Sequence, residues 1–266
     1  MAPMDTSKVA IIGAGVMGEA MIHALQRIRF KSPEITIREK RIERQKELVE
    51  KYGVSSGSIE SSQFILLAVK PQDLDKALDE INPEMRDGTL LVSLLAGVKS
   101  SRIEELVGSK ARVVRVMPNT PILMGEGMSV ISKGKSATEE DVEWTDSLLA
   151  KSGSTLVIDE SLMDAVTATS GSGPAYFFGF VEAMIDAAKR LGLREEDAKI
   201  LVTQTLVGAA KMVVESGKDA RMLRENVTSP SGTTAAALSL FDSKAWNEIV
   251  YEAMRAARDR SQELSD

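Results

Sequence analysis

The chain has 266 residues, 43% hydrophobic and 27% charged, with a formal net charge of −6. That length suits two domains of ordinary size, each with its own core. The acidic balance and dispersed Lys and Arg argue against a nucleic-acid partner, and the absence of cysteine excludes disulfides, thiolate catalysis and zinc–thiolate sites.

The first seven residues carry neither the apolar core of a secretory signal nor the Arg- and Ser-rich pattern of a transit peptide, so a cytoplasmic protein is expected. Residues 8–12, Lys-Val-Ala-Ile-Ile, then read as an apolar strand running straight into Gly13, Gly15 and Gly18. This is G-x-G-x-x-G between a strand and a helix. Gly13 permits the tight turn, Gly15 admits backbone close to a pyrophosphate, and Gly18 lets the helix lie close on the sheet. Val16, Met17 and Gly18 open that helix, whose free N–H groups and positive dipole end attract phosphate. A plain strand–turn–helix corner shares the glycines, but the flanks favour dinucleotide binding. The single histidine, His23, falls inside this helix as a surface or packing residue. No metal site is expected, because a His-based site needs partners this chain lacks.

A second strand over 35–37 ends at Arg38, twenty positions beyond Gly18, and Glu39, Lys40 and Arg41 follow. A carboxylate at this point bonds the ribose 2′-hydroxyl of NAD, whereas Arg accommodates the 2′-phosphate of NADP. With Arg38 and Lys40 flanking one carboxylate, NADPH is the expected cofactor and NADH the weaker one. Arg41 reads as a solvated charge at the start of the next helix. Apolar strands over 64–69, 89–93 and 112–117 alternate with helical patterns, as in a parallel doubly wound sheet. Such sheets bind ligands at the carboxyl ends of their strands. Val69, Lys70 and Pro71 close one strand, with Pro71 placed to begin a helix; Lys70 reads either as ligand-facing or as solvated. Met117-Pro118-Asn119-Thr120-Pro121 ends another, and its prolines stiffen backbone around Asn119 that could hold a nicotinamide ring.

Residues 156–158 are expected as the last strand, after which only helical patterns follow. Ser170-Gly171-Ser172-Gly173-Pro174 places Ser172 or Gly173 as the cap of a long helix over 174–191. The glycines beside Ser172 suggest close approach by a cofactor or a neighbouring subunit. That helix is apolar nearly all round, with Glu182, Asp186, Lys189 and Arg190 forming one narrow polar stripe. It must be covered on most sides, so a second subunit is expected, a tightly wrapped monomeric bundle being the alternative. The apolar run over 200–214 is too short for a bilayer, which takes roughly 20 residues, and is expected as a buried helix; no membrane partner is indicated. Ser229-Pro230-Ser231-Gly232-Thr233-Thr234 leads into a short helix with unpaired N–H groups. With no Lys or Arg in the segment it suits a carboxylate better than a phosphate, a plain helix cap being the simpler reading. A final amphipathic helix covers 243–262.

In order along the chain, these segments resemble the pyrroline-5-carboxylate reductase family over nearly its whole length. The most specific stretches are 168–176, which holds Ser172, and 225–234; Val69-Lys70-Pro71, residues 93–98 with Ala96, and 117–121 match cofactor-side motifs. The resemblance implies an α/β protein: an N-terminal Rossmann-type doubly wound sheet over 1–160 that binds the dinucleotide, and an all-helical C-terminal dimerisation domain over 161–266 that also binds substrate. It implies homodimers assembled into a ring such as a decamer. It also implies reduction of L-1-pyrroline-5-carboxylate to L-proline, the last step of proline biosynthesis. Ser229, Ser231, Gly232, Thr233 and Thr234 would hold the substrate carboxylate, with the Thr234 hydroxyl against the ring nitrogen as the catalytic group. Two departures stand out: Ser231 replaces a usual glycine, and Val16 replaces a residue often polar. Dehydrogenases of the β-hydroxyacid and 6-phosphogluconate type share the two-domain plan but need a lysine where residues 176–178 are aromatic. An NADPH-binding protein without turnover is the other alternative, against which residues 229–234 argue.

Overall fold

The computed structural model describes residues 8–27 and 34–264; residues 1–7, expected to carry no targeting signal, lie outside them. The chain divides into two compact units: the first runs to Ser172 and takes in the chain again from Ala257, and the second is Gly173–Ala256.

The first unit holds β1 (Val9–Ile12), α1 (Val16–Arg27), β2 (Ile35–Arg38), α2 (Ile42–Tyr52), β3 (Ser55–Ser56), β4 (Phe64–Leu67), α3 (Leu74–Ile81) and β5 (Thr89–Ser93). It continues with α4 (Ser100–Val107), β6 (Ala111–Met117), β7 (Gly127–Lys133), α5 (Glu139–Leu149), β8 (Gly153–Val157) and α6 (Met163–Val166). The strands form one sheet in the order β3-β2-β1-β4-β5-β6-β7-β8, parallel throughout except for the antiparallel β6–β7 pair. Strand order reverses beside β1, so β1 and β4 flank the crevice where such sheets take ligands. Successive residues of a strand face opposite sides, and β1 shows it: Val9 and Ile11 enter one core, Ala10 and Ile12 the other.

Two expectations for the first unit need correction. The last strand is β8 at Gly153–Val157 rather than 156–158, because Gly153, at φ +143°, starts the pairing with Gly127. Ser172 is not an N-cap. Backbone stays helical from α6 through a π turn at Thr167–Gly171, and the Ser172 N–H donates to the Thr167 carbonyl at 2.8 Å.

The second unit holds α7 (Gly173–Arg190), α8 (Glu195–Glu215), α9 (Ala220–Asn226), α10 (Thr233–Ser243) and most of α11 (Trp246–Glu263). The long apolar helices appear as expected, but α8 is not buried within one chain. Ala198 and Val202 are its only buried residues, while Ile200 is 68% exposed. α7 likewise exposes Phe177 and Phe178. The last helix starts at Trp246, not 243, since Ser243 closes α10 and Ala245 turns the chain at φ +53°. Phe180, Phe241 and Trp246 form its aromatic contacts.

Candidate active site

The three glycines of the first turn do different work. Gly13 has φ +86°, and a Cβ there would sit 2.8 Å from the Ala68 carbonyl oxygen and the Val69 nitrogen. A Cβ on Gly18 would collide with the Gly13 carbonyl oxygen. Gly15 has nothing within 4 Å of its Cβ direction and lines a cleft of about 620 Å³ between the ends of β1, β2 and β4. Open backbone here, ahead of the unpaired first N–H groups of α1, fits a dinucleotide pyrophosphate. Val16 is 65% exposed and apolar, so it offers no side-chain donor at this turn; Met17 packs partly against the core. His23 is a half-buried residue of α1.

At the end of β2 the charges are mutually engaged. Arg38 lines the cleft, yet its guanidinium donates to the Glu84 carboxylate at 2.6 Å and to the Gly57 carbonyl at 3.0 Å. Lys40 Nζ donates to Asp73 at 2.8 Å, and Arg41 Nε to Glu39 at 2.9 Å. The Arg41 side chain is 64% exposed, as a solvated charge should be. The other oxygen of Glu39 accepts the Ala14 N–H at 3.0 Å, bracing the glycine turn. Burial alone would raise the Glu39 pKa, but the donors from Arg41 and Ala14 outweigh it and hold the group below the usual carboxylate range. The sequence offers Glu39 as a ligand of a ribose hydroxyl or as a charge opposing phosphate; nothing in its local pattern points to Ala14.

Across the cleft, Val69 packs on Gly13, and Lys70 precedes a 3₁₀ turn at Pro71–Asp73 that Pro71 opens. Lys70 is exposed at the cleft wall and makes no ion pair among the described residues. Half-buried Ala96 lies in the turn after β5, beside Gly97 at φ +74°. A Cβ on Gly97 would come within 2.8 Å of Leu264 and 3.0 Å of the Ser261 carbonyl, so the end of α11 fixes this turn. Asn119 spends its side chain on the fold: Oδ1 accepts the Met128 N–H at 2.8 Å and Nδ2 donates to the Ser170 carbonyl at 3.1 Å. A Cβ on Gly171 would collide with the Met117 side chain, whereas nothing lies within 4 Å of the Cβ direction of Gly173. Among the described residues no cluster of three or more acidic or His side chains could hold a metal.

In the second unit, the Gly232 N–H donates to the Ser229 carbonyl at 3.0 Å, and a Cβ on Gly232 would collide with the Ser229 hydroxyl. Ser231 sits at φ +59°, a region that favours glycine. No side chain caps α10. Its first intrahelical bond runs from the Ala236 N–H to the Gly232 carbonyl, so the N–H groups of Thr233, Thr234 and Ala235 are left to an outside acceptor. Ser229 and Thr233 are exposed and Thr234 is half-buried. The residues expected to meet the nucleotide thus lie in the first unit and those expected to meet the carboxylate in the second.

A mostly parallel sheet with a glycine turn at its switch point, followed by a helical unit, defines the class of two-domain nicotinamide-dinucleotide oxidoreductases. Residues 8–97 match the family model described as NADP oxidoreductase, coenzyme F420-dependent, and residues 160–264 match pyrroline-5-carboxylate reductase dimerisation. The chain is 39% identical to the pyrroline-5-carboxylate reductase of Haemophilus influenzae, covering 98% of each chain. Its structure resembles that of the Coxiella burnetii pyrroline-5-carboxylate reductase at a TM-score of 0.89 and 31% identity, covering 98% of this chain and 99% of that one. It also resembles the Plasmodium falciparum pyrroline carboxylate reductase solved with NADP bound, at a TM-score of 0.88 and 31% identity, covering 99% and 100%. The chain belongs to the pyrroline-5-carboxylate reductase family. The match to a dimerisation region accords with a homo-oligomer, and no helix among the described residues is long and apolar enough to cross a membrane.

Proposed function

We propose that this chain reduces L-1-pyrroline-5-carboxylate to L-proline with NADPH, NADH serving less well, as the last step of proline biosynthesis. The observation that carries the reading is the uncapped start of α10, where three backbone N–H groups have no acceptor among the described residues. A carboxylate of a small cyclic imine matches that donor set without a cation. The bound dinucleotide supplies a hydride to the imine carbon. The protein's part is to bind, orient and manage one proton. The Thr233, Thr234 and Ala235 N–H groups take the carboxylate, and Ser231 and Gly232 shape the turn that exposes them. The Thr234 hydroxyl donates to the ring nitrogen, directly or through water, where negative charge develops as the C=N bond is reduced. Neither cysteine nor a histidine at the cleft supplies a stronger acid.

In the same reading residues 1–160 bind the dinucleotide through Gly13, Gly15, Val16, Met17, Gly18, Lys40, Val69, Lys70, Pro71 and Ala96 and through backbone at Asn119, and Ser172 adds a backbone contact from beyond that span. Arg38 serves there as a brace. Residues 161–266 carry substrate binding and dimer contacts, the dimers assemble into a ring such as a decamer, and the protein works in the cytoplasm. Nucleotide oxidation followed by absorbance with L-1-pyrroline-5-carboxylate tests the activity. Thr234→Ala is expected to lower kcat on the order of 100-fold while the NADPH dissociation constant changes little. Equal loss of both would remove Thr234 from this role.

A further inference from the structure

Cations at the adenosine side of the cleft come already neutralised. Lys40 is held by Asp73 and Arg41 by Glu39, and all four residues line the cleft. Arg38, tied to Glu84 and Gly57, braces β2 against its neighbours. The two lining pairs have no net charge, and Lys70 and Glu80, which also line the cleft, carry opposite signs, so a 2′-phosphate at Lys40 gains that lysine's full charge only when its pair with Asp73 opens.

The two carboxylates differ in what else they do. Glu39 is almost buried and also accepts the Ala14 N–H, so it belongs to the framework of the glycine turn. The Asp73 side chain is 38% exposed, and among the described residues its carboxylate bonds only to Lys40. It ends the 3₁₀ turn at Pro71–Asp73 and does not cap α3 with its side chain. An exposed pair of this kind is weak and screened, so a phosphate can draw Lys40 away. The released carboxylate still lies within a Debye length of the incoming charge, about 8 Å at physiological ionic strength.

We propose that Asp73 is the residue that sets this chain's preference between NADPH and NADH: by holding Lys40 it opposes the 2′-phosphate and leaves a 2′-hydroxyl unaffected. The inference rests on the cofactor reading above. It gives Asp73 a role in specificity without a direct bond to the nucleotide, Lys40 being the group that would touch the phosphate.

Equilibrium titration of the full chain with NADPH and with NADH, followed by nucleotide fluorescence, tests it. Asp73→Asn keeps shape and removes charge, and is expected to tighten NADPH about five-fold with NADH unchanged within two-fold. Lys40→Gln should do the reverse, weakening NADPH about ten-fold and sparing NADH. Asp75→Asn is the control, since Asp75 pairs with Arg102 at 2.8 Å and does not line the cleft; both affinities should hold. An unchanged NADPH affinity in Asp73→Asn, an equal gain for NADH, or an equal gain in Asp75→Asn overturns the proposal. A wild-type chain that binds neither nucleotide overturns the cofactor reading as well, whereas normal binding with an unmoved ratio overturns this inference alone.

Discussion

Ser231 holds a left-handed conformation at φ +59°, which costs a residue with a Cβ roughly 1–2 kcal/mol. That strain sits one residue before Gly232 and two before α10, where it aims the N–H groups of the helix start. Ser231→Gly should therefore keep activity, since glycine takes the same φ freely. Ser231→Val should reshape the turn, because a β-branched residue at positive φ is an outlier. Steady-state kinetics are expected to show about a ten-fold higher KM for the imine acid, or more, in Ser231→Val, with NADPH binding intact; normal KM in both variants would detach the turn from substrate binding. The positions of Gly13, Gly15 and Gly18 were legible from spacing because each need is local: a positive φ, an open backbone face, a close helix. The partners of Arg38 and Asn119 were not. Glu84, Met128 and Ser170 lie 46, 9 and 51 positions from them, and only folding brings them within reach.

Strands β1, β5 and β6 were readable as apolar runs bounded by turn residues, and the alternation of strand with helix identified the parallel sheet. β7 was not, because Gly127, Ser129 and Ser132 interrupt its apolar residues and it pairs antiparallel with β6 after a 3₁₀ turn at Thr120–Met124. The break expected at Ser172 failed for a related reason: a π turn carries the helix through a Gly-Ser-Gly segment that otherwise looks like a start. Between α1 and α2 the structure adds an electrostatic clamp. Glu19 accepts from Arg44, from Lys51 at 2.9 Å and from Tyr52 at 2.8 Å. Burial would raise its pKa, but these donors outweigh it and lower the group to about 2. A pKa lower in the folded than in the unfolded chain stabilises at pH above the unfolded value of about 4.5, and that stability drains as pH falls toward 2. Glu19→Gln should melt roughly 3 °C below wild type at pH 7, and the gap should close as acid is added from about pH 4.5 downward. A gap independent of pH would mean the clamp works by shape alone.

At the scale of the molecule, one chain leaves most of α7 and α8 exposed, including Phe177, Phe178, Ile200 and Val214. Apolar surface of this extent marks an interface, and the sequence announced it through the narrow polar stripe of α7. What the sequence missed is that the cover is absent within the chain even for α8, where a buried helix was expected. Phe178→Asp places a charge on that face, and each buried Phe is worth ~1.5–3 kcal/mol, felt twice across a two-fold interface. Sedimentation velocity should show the variant as a smaller species than wild type with NADPH binding retained; an unchanged sedimentation coefficient would place the interface elsewhere. Substrate binding by this chain depends first on the acid group being held at the start of α10. A crystal structure with proline bound tests this directly: its carboxylate should lie about 3 Å from the N–H groups of Thr233 and Thr234, with the ring nitrogen facing the Thr234 hydroxyl. Proline anchored by a lysine or arginine side chain, with the α10 N–H groups left to solvent, would contradict it.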